Sequence, residues 1–223
     1  MKRGFGCNTL ILIGLLFGWI NLTVSAQTES GEQDDPNVNV FMSYFQKNWD
    51  DIHDVIMRFH NDDPALKGTA MISMNWQQGI LISASVSSNT TGNKDFGLAL
   101  IDAMKKWSIP GMTESWTSTI PIKTVIYGSE NPAFPNCGIL TGNVTDESGN
   151  PVYRAKLILT PGESLNAKSD TNYTNREGVF IWTLIPVGDW RLECIKDGYL
   201  PTVIDKLTFQ KGKHLKKVII LKK

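Results

Sequence analysis

From Gly142 to Tyr199, glycines and prolines cut the chain into short apolar runs of strand length, and no other feature constrains its fold as tightly. Gly142-Asn143-Val144-Thr145-Asp146 leads into the turn Ser148-Gly149-Asn150-Pro151. Ala155-Lys156-Leu157-Ile158-Leu159 comes next, then Asn175-Arg176-Glu177-Gly178-Val179-Phe180. Ile185-Pro186-Val187-Gly188-Asp189-Trp190-Arg191-Leu192 and Asp197-Gly198-Tyr199-Leu200-Pro201 complete the series. Runs of this length with a turn signal between them predict a β-sandwich. The predicted strands are Gly138 to Asp146, Arg154 to Thr160, Gly178 to Leu184, Trp190 to Lys196, Thr202 to Phe209 and His214 to Leu221.

The other end of the chain reads as an export signal covering residues 1–26. Lys2 and Arg3 precede an apolar stretch, Leu10 to Ile20, and Val24-Ser25-Ala26 fits a small-residue cleavage site, so cleavage is expected between Ala26 and Gln27. The apolar stretch is about half the ~20 residues a membrane helix needs, so the membrane is met only through an uncleaved signal, if at all. Exported chains can form disulfides, and Cys137 and Cys194 are the candidate pair if their strands are antiparallel neighbours. The alternative is two separate buried thiols.

Between these ends lies a polar, acidic leader (27–39) and then an α+β segment (40–128). Phe41, Phe45, Trp49, Ile52, Ile56 and Phe59 recur at helical spacing, and Asp63-Pro64 ends the helix. Ala70, Ile72, Met74 and Trp76 alternate as a strand, Gln77-Gln78-Gly79 turns, and Ile80, Ile82, Ala84 and Val86 form the expected core face of the return strand. Phe96, Leu100, Met104 and Trp107 mark a second helix from about Lys94 to Trp107. Ile120, Ile122, Thr124 and Ile126 mark a third strand, from about Thr117 to Tyr127. Helix, two strands, helix, strand predicts a small antiparallel sheet covered on one face. A linker (129–137) with Asn131-Pro132 and Phe134-Pro135 leads to the sandwich (138–223).

Two resemblances follow from these residues. Gly178-Val179-Phe180, Pro186-x-Gly188-x-Trp190 and Gly198-Tyr199, in that order, resemble the carboxypeptidase regulatory-like family. That resemblance implies a transthyretin-like seven-strand sandwich, an accessory without catalytic residues. Trp190 stands where the family more often has tyrosine. Asp63-Pro64-Ala65-Leu66-Lys67-Gly68, the strand pair around Gly79, Ser87-Ser88-Asn89-Thr90-Thr91-Gly92-Asn93, Phe96 and Lys105-Lys106-Trp107-Ser108-Ile109-Pro110 resemble the C-terminal domain of TonB-type energy transducers, in the branch found in gliding-motility envelope proteins. That resemblance implies binding, often through a sheet edge that accepts a partner's strand. Energy transduction itself is not expected, because the leader reaches at most ~45 Å and is not Pro-rich.

Catalytic and metal constellations are not expected. His53 and His60 stand two helical turns apart and His214 has no ligand-spaced Cys or carboxylate near it. No Gly-x-Ser-x-Gly or phosphate loop occurs. Asp50, Asp51 and Asp54 read as a solvated helix face. Lys206, Lys211, Lys213, Lys216, Lys217, Lys222 and Lys223 make the C-terminus basic; they read as solvated guards of an edge strand, with an anionic lipid or polysaccharide as the alternative. Equal numbers of basic and acidic residues, 22 each, argue against nucleic acid as partner. Trp116, in a polar stretch, is the candidate for stacking on a ligand, although an earlier start to the third strand puts it in phase with Ile120. The sequence therefore points to an exported, non-catalytic envelope protein without cofactor or metal. It binds another envelope protein, with a carbohydrate-binding module or an accessory hydrolase subunit as the alternative.

Overall fold

A computed structural model describes residues 36–112, 114–125 and 137–223. Ala26 and Gln27, residues 27–35 of the leader and 129–136 of the linker lie outside these residues. The chain divides into two compact units. One comprises the described residues within Met1–Val55 and Leu66–Val125, the other those within Ile56–Ala65 and Ile126–Lys223.

In the first unit, α1 (Pro36–Lys47) starts earlier than the leader allows, with Pro36 at its first position, where a missing N–H costs nothing. The apolar stripe predicted as one helix is two: α2 (Trp49–Asp62) begins after Asn48, whose side-chain amide donates to Tyr44 O at 2.9 Å. β1 (Gly68–Gln77) and β2 (Ile80–Asn89) form a hairpin, α3 (Lys94–Met104) follows, and β3 (Ser115–Thr124) closes an antiparallel sheet of order β2-β1-β3. Asn93 caps α3, its Oδ1 accepting from the N–H of Asp95 and Phe96 at 3.0 and 3.2 Å. The core face of the sheet carries Ala70, Ile72, Met74, Trp76, Trp116, Ile120 and Ile122, all buried with Phe41, Phe45, Phe96, Leu100 and Met104.

The second unit is a seven-strand sandwich. β4 (Cys137–Asp146), β7 (Val179–Pro186) and β10 (His214–Leu221) form one sheet, in the order β10-β4-β7. β5 (Lys156–Pro161), β6 (Asp170–Tyr173), β8 (Gly188–Ile195) and β9 (Thr202–Phe209) form the other, in the order β6-β5-β8-β9. Leu140, Val144, Leu157, Leu159, Phe180, Trp182, Trp190, Leu192, Leu207 and Phe209 fill the space between the sheets. The Pro186-x-Gly188 turn does set up a central strand, and Trp190 Nε1 donates back to Pro186 O at 3.0 Å.

The last turns of α2 belong with this unit rather than with the α+β segment expected to run through residue 128. Polar groups explain why. Asn61 Nδ2 donates to Asn143 Oδ1 at 2.7 Å, Thr141 Oγ1 donates to Asn61 O at 3.4 Å, and Arg58–Glu177 and Lys216–Asp62 pair at 2.9 Å each.

Burial here has a measurable consequence. His60 is buried, and desolvation pulls its pKa from the ordinary 6.5 down to about 4. The unfolded chain therefore takes up this proton first as pH falls. The native state is at full stability above pH 6.5, loses stability between pH 6.5 and about 4, and loses no more from this group below that. The loss amounts to about 3 kcal/mol. His60→Leu should flatten that part of a pH–stability curve measured by urea denaturation; an unchanged slope would show that the proton goes elsewhere.

Candidate functional site

The site is built at the β1–β2 hairpin. Gln78 (φ 49°) and Gly79 (φ 77°) are the two loop residues, both left-handed, as the type I′ turn that matches strand twist requires. Gly79 is also held by crowding: its carbonyl accepts from Ile109 N at 2.9 Å, and a Cβ there would lie 2.0 Å from Ile109 O.

β2 departs from its apparent alternation. The register runs Trp76↔Leu81 and then Asn75↔Ser83, so Ile82 is an extra, bulged residue. A second irregularity, between Met71↔Ser88 and Ile72↔Val86, displaces Ser87. The bulges reverse the phase. Leu81, Ala84 and Val86 stand opposite the buried Trp76, Met74 and Ile72, whereas Ile80 and Ile82 are 58% and 61% exposed. The face expected to carry all four of Ile80, Ile82, Ala84 and Val86 into the core therefore carries only the last two.

The opposite face of the sheet is polar and cross-linked by hydroxyl and amide groups. Asn75 Nδ2 donates to Ser83 Oγ at 2.8 Å, Thr117 Oγ1 donates to Asn75 Oδ1 at 3.0 Å, and Ser73 and Thr119 hydroxyls lie 2.9 Å apart. These bonds tie β2 and β3 to the central strand.

The two sheet edges differ in chemistry. In β3, Pro121 stands opposite Met71 in a ladder without irregularity. Its missing N–H therefore falls on the outward side, beside Lys123, and both discourage further pairing. β2 contains neither proline nor charge over its ten residues. Apart from one bridge between Ile80 and Ser108, no described strand pairs with its outer side. From Ile82 to Asn89 no described residue pairs with that side.

The residues singled out in the sequence fall elsewhere. Trp116 is not a stacking platform. β3 begins at Ser115, which turns Trp116 into the core, where it is 7% exposed with its ring 5.3 Å from that of Phe41. Cys137 and Cys194 are free thiols. The neighbours assumed for them do not exist, because β4 pairs with β10 and β7 while β8 pairs with β5 and β9. Burial pushes the Cys194 thiol up to about 12 and raises that of Cys137. Asp51 and Asp54 are not a solvated face: Asp51 Oδ2 accepts from Trp107 Nε1 at 2.8 Å, and Asp54 is buried. His214 Nε2 lies 2.7 Å from Thr141 Oγ1. Among the described residues, no three His, Cys, Asp or Glu side chains gather as a metal ion would need.

Residues 139–222 match the carboxypeptidase regulatory-like domain. The matched residues form the sandwich of the second unit. No curated protein matches the chain. Solved structures that resemble parts of it include a candidate carbohydrate-binding protein from Bacteroides uniformis, at 9% identity and TM-score 0.32, covering 38% of this chain and 40% of that one. Another is 3-chlorocatechol 1,2-dioxygenase from Rhodococcus opacus, at 12% identity and TM-score 0.33, covering 40% and 60%. A third is BcpA, the major pilin subunit of Bacillus cereus, at 14% identity and TM-score 0.33, covering 73% and 61%. This chain spans less than two thirds of each of those proteins.

Proposed function

We propose that the protein is an exported, non-catalytic cell-envelope protein that binds another envelope protein by accepting an extended strand on β2. The observation that carries this reading is the edge from Ile82 to Asn89, which is unpaired on its outer side among the described residues, has no proline and no charge, and carries the exposed Ile82 next to the exposed Ile80. Backbone N–H and C=O groups along such an edge supply affinity to an incoming strand, and neighbouring side chains supply selectivity. The regulatory-like domain supports an accessory role for the second unit. The TonB-type resemblance of the first unit fits the same mode of binding, and the signal-like N-terminus fits a periplasmic or outer-membrane location. A glycan-stacking role loses its residue now that Trp116 is in the core.

Charge placed on the edge tests this reading. Ile82→Lys with Ser85→Lys should abolish capture of an envelope protein by the purified protein, because both side chains are exposed and a strand brought alongside would have to bury them. Ser115→Lys with Lys123→Glu, on β3, should leave capture within about threefold, because both side chains are exposed on the other edge. Equal capture by both variants, with native circular dichroism, would rule out β2 as the binding edge.

A further inference from the structure

The last strand of the regulatory-like domain carries an unusual surface. Thr202–Lys223 contains seven lysines against one acidic residue, Asp205, in a chain with 22 basic and 22 acidic residues in all, so the remainder is acidic. Along β10, His214, Lys216, Val218 and Ile220 alternate as the exposed side chains, and Lys222 continues the series. Val218 is 64% exposed and Ile220 51%. Leu200, 60% exposed, is brought to the same end of the strand by its N–H bond to Lys222 O at 2.6 Å.

Only part of this charge is spent inside the protein. Lys216 pairs with Asp62 at 2.9 Å and Lys206 with Asp189 at 3.0 Å. Asp205 is taken by Arg191 at 3.5 Å. Lys211 and Lys213 are exposed in the turn before β10, and Lys222 and Lys223 after it, so ammonium groups bracket the aliphatic side chains at both ends of a strand about 27 Å long.

We propose that this face of β10 is a docking surface for an anionic lipid bilayer. Lysines are drawn to acidic headgroups, and each strengthens binding about fivefold close to such a surface. Aliphatic side chains between them leave water for the acyl boundary, which a hydrated polysaccharide does not offer. Sugar rings are recognised largely by aromatic stacking, and the exposed series on β10 contains no Trp, Tyr or Phe. The contact is reversible and peripheral. It takes up the anionic-lipid alternative for these lysines, and with it a route to a membrane besides a retained signal.

The test uses the chain from Gln27 onward, since Leu10–Ile20 is apolar enough to bind vesicles by itself. Co-sedimentation with phosphatidylcholine vesicles containing phosphatidylglycerol should show binding that pure phosphatidylcholine does not support and that added salt weakens. Lys211→Glu/Lys213→Glu/Lys222→Glu should weaken it by about a hundredfold or more. Lys94→Glu/Lys105→Glu/Lys106→Glu, the same change of net charge in the first unit, should weaken it far less. Val218→Ser/Ile220→Ser should cost about tenfold, because both aliphatic groups then stay in water. All variants change exposed residues, and circular dichroism checks their folding. Absent binding to the anionic vesicles, equal losses in the two lysine triples, or serine variants that bind both the vesicles and dextran sulfate as the wild type does would each overturn the proposal, the last in favour of a soluble polyanion.

Discussion

Gly142→Ala is expected to destabilise the sandwich by about 3 kcal/mol or more. Gly142 lies on the inner face of β4, directly beside β10, and Phe180 crosses over it. A Cβ there would sit 2.0 Å from Lys217 O and 2.6 Å from Phe180 Cζ. The phenyl ring is itself fully buried and has no room to swing away. The carbonyl belongs to the backbone of the strand paired with β4, so relief means separating β10 from β4. A loss of this size is a large part of the ~5–15 kcal/mol that holds a typical domain together. Gly149→Ala is the comparison. Nothing lies within 4 Å of the added carbon, and only the left-handed backbone (φ 82°) resists, at about 1–2 kcal/mol. Guanidinium denaturation distinguishes them, and a Gly142 variant no worse than the Gly149 variant would contradict the packing described.

Trp116→Ala should cost the first unit about 3–5 kcal/mol. The indole faces Trp76 across the β1–β3 ladder, and Phe41 from α1 packs against both, at ring distances of 5.3 and 6.0 Å. Truncation leaves a cavity that the two remaining rigid rings, Trp76 and Phe41, cannot collapse to fill. Trp116→Phe should be much milder, about 1 kcal/mol, because the indole N–H of Trp116 has no hydrogen-bond partner among the described residues and none is lost. A surface tryptophan would give the opposite pattern, with little effect of either change on stability. Chemical denaturation of both variants decides the matter.

Much of this architecture was legible where one period rules. Phe41, Phe45, Ile52 and Ile56 announce a helical stripe, though not its break into two helices at Asn48, and all four are buried. Gly79 announces its turn because glycine accepts a positive φ at little cost, whereas Gln78 at φ 49° carries no such signal. The spaced glycines of the sandwich were equally readable. What escaped reading depends on partners distant in sequence. Ile80, Ile82, Ala84 and Val86 alternate without a flaw, and nothing in those letters reveals that Ile82 is bulged by its pairing with β1. The same bulge creates the exposed isoleucines of the candidate site, so the site was hidden by the feature that makes it. Trp116 turned on a strand starting two residues earlier than expected. The Cys137–Cys194 bridge turned on sheet order, which two cysteines 57 positions apart do not encode. The short strand Asp170–Tyr173 went unseen because it is polar; its place is set by pairing with β5 and by Asp170 accepting from Trp182 Nε1 at 2.9 Å.

Amide hydrogen exchange on β2 tests the binding account most directly. Free protein should exchange residues 82–89 faster than the central strand β1, and the captured envelope partner should slow exchange there while leaving β3 unchanged. Protection that appears on β3 or on the sandwich, with β2 as fast as before, would contradict it.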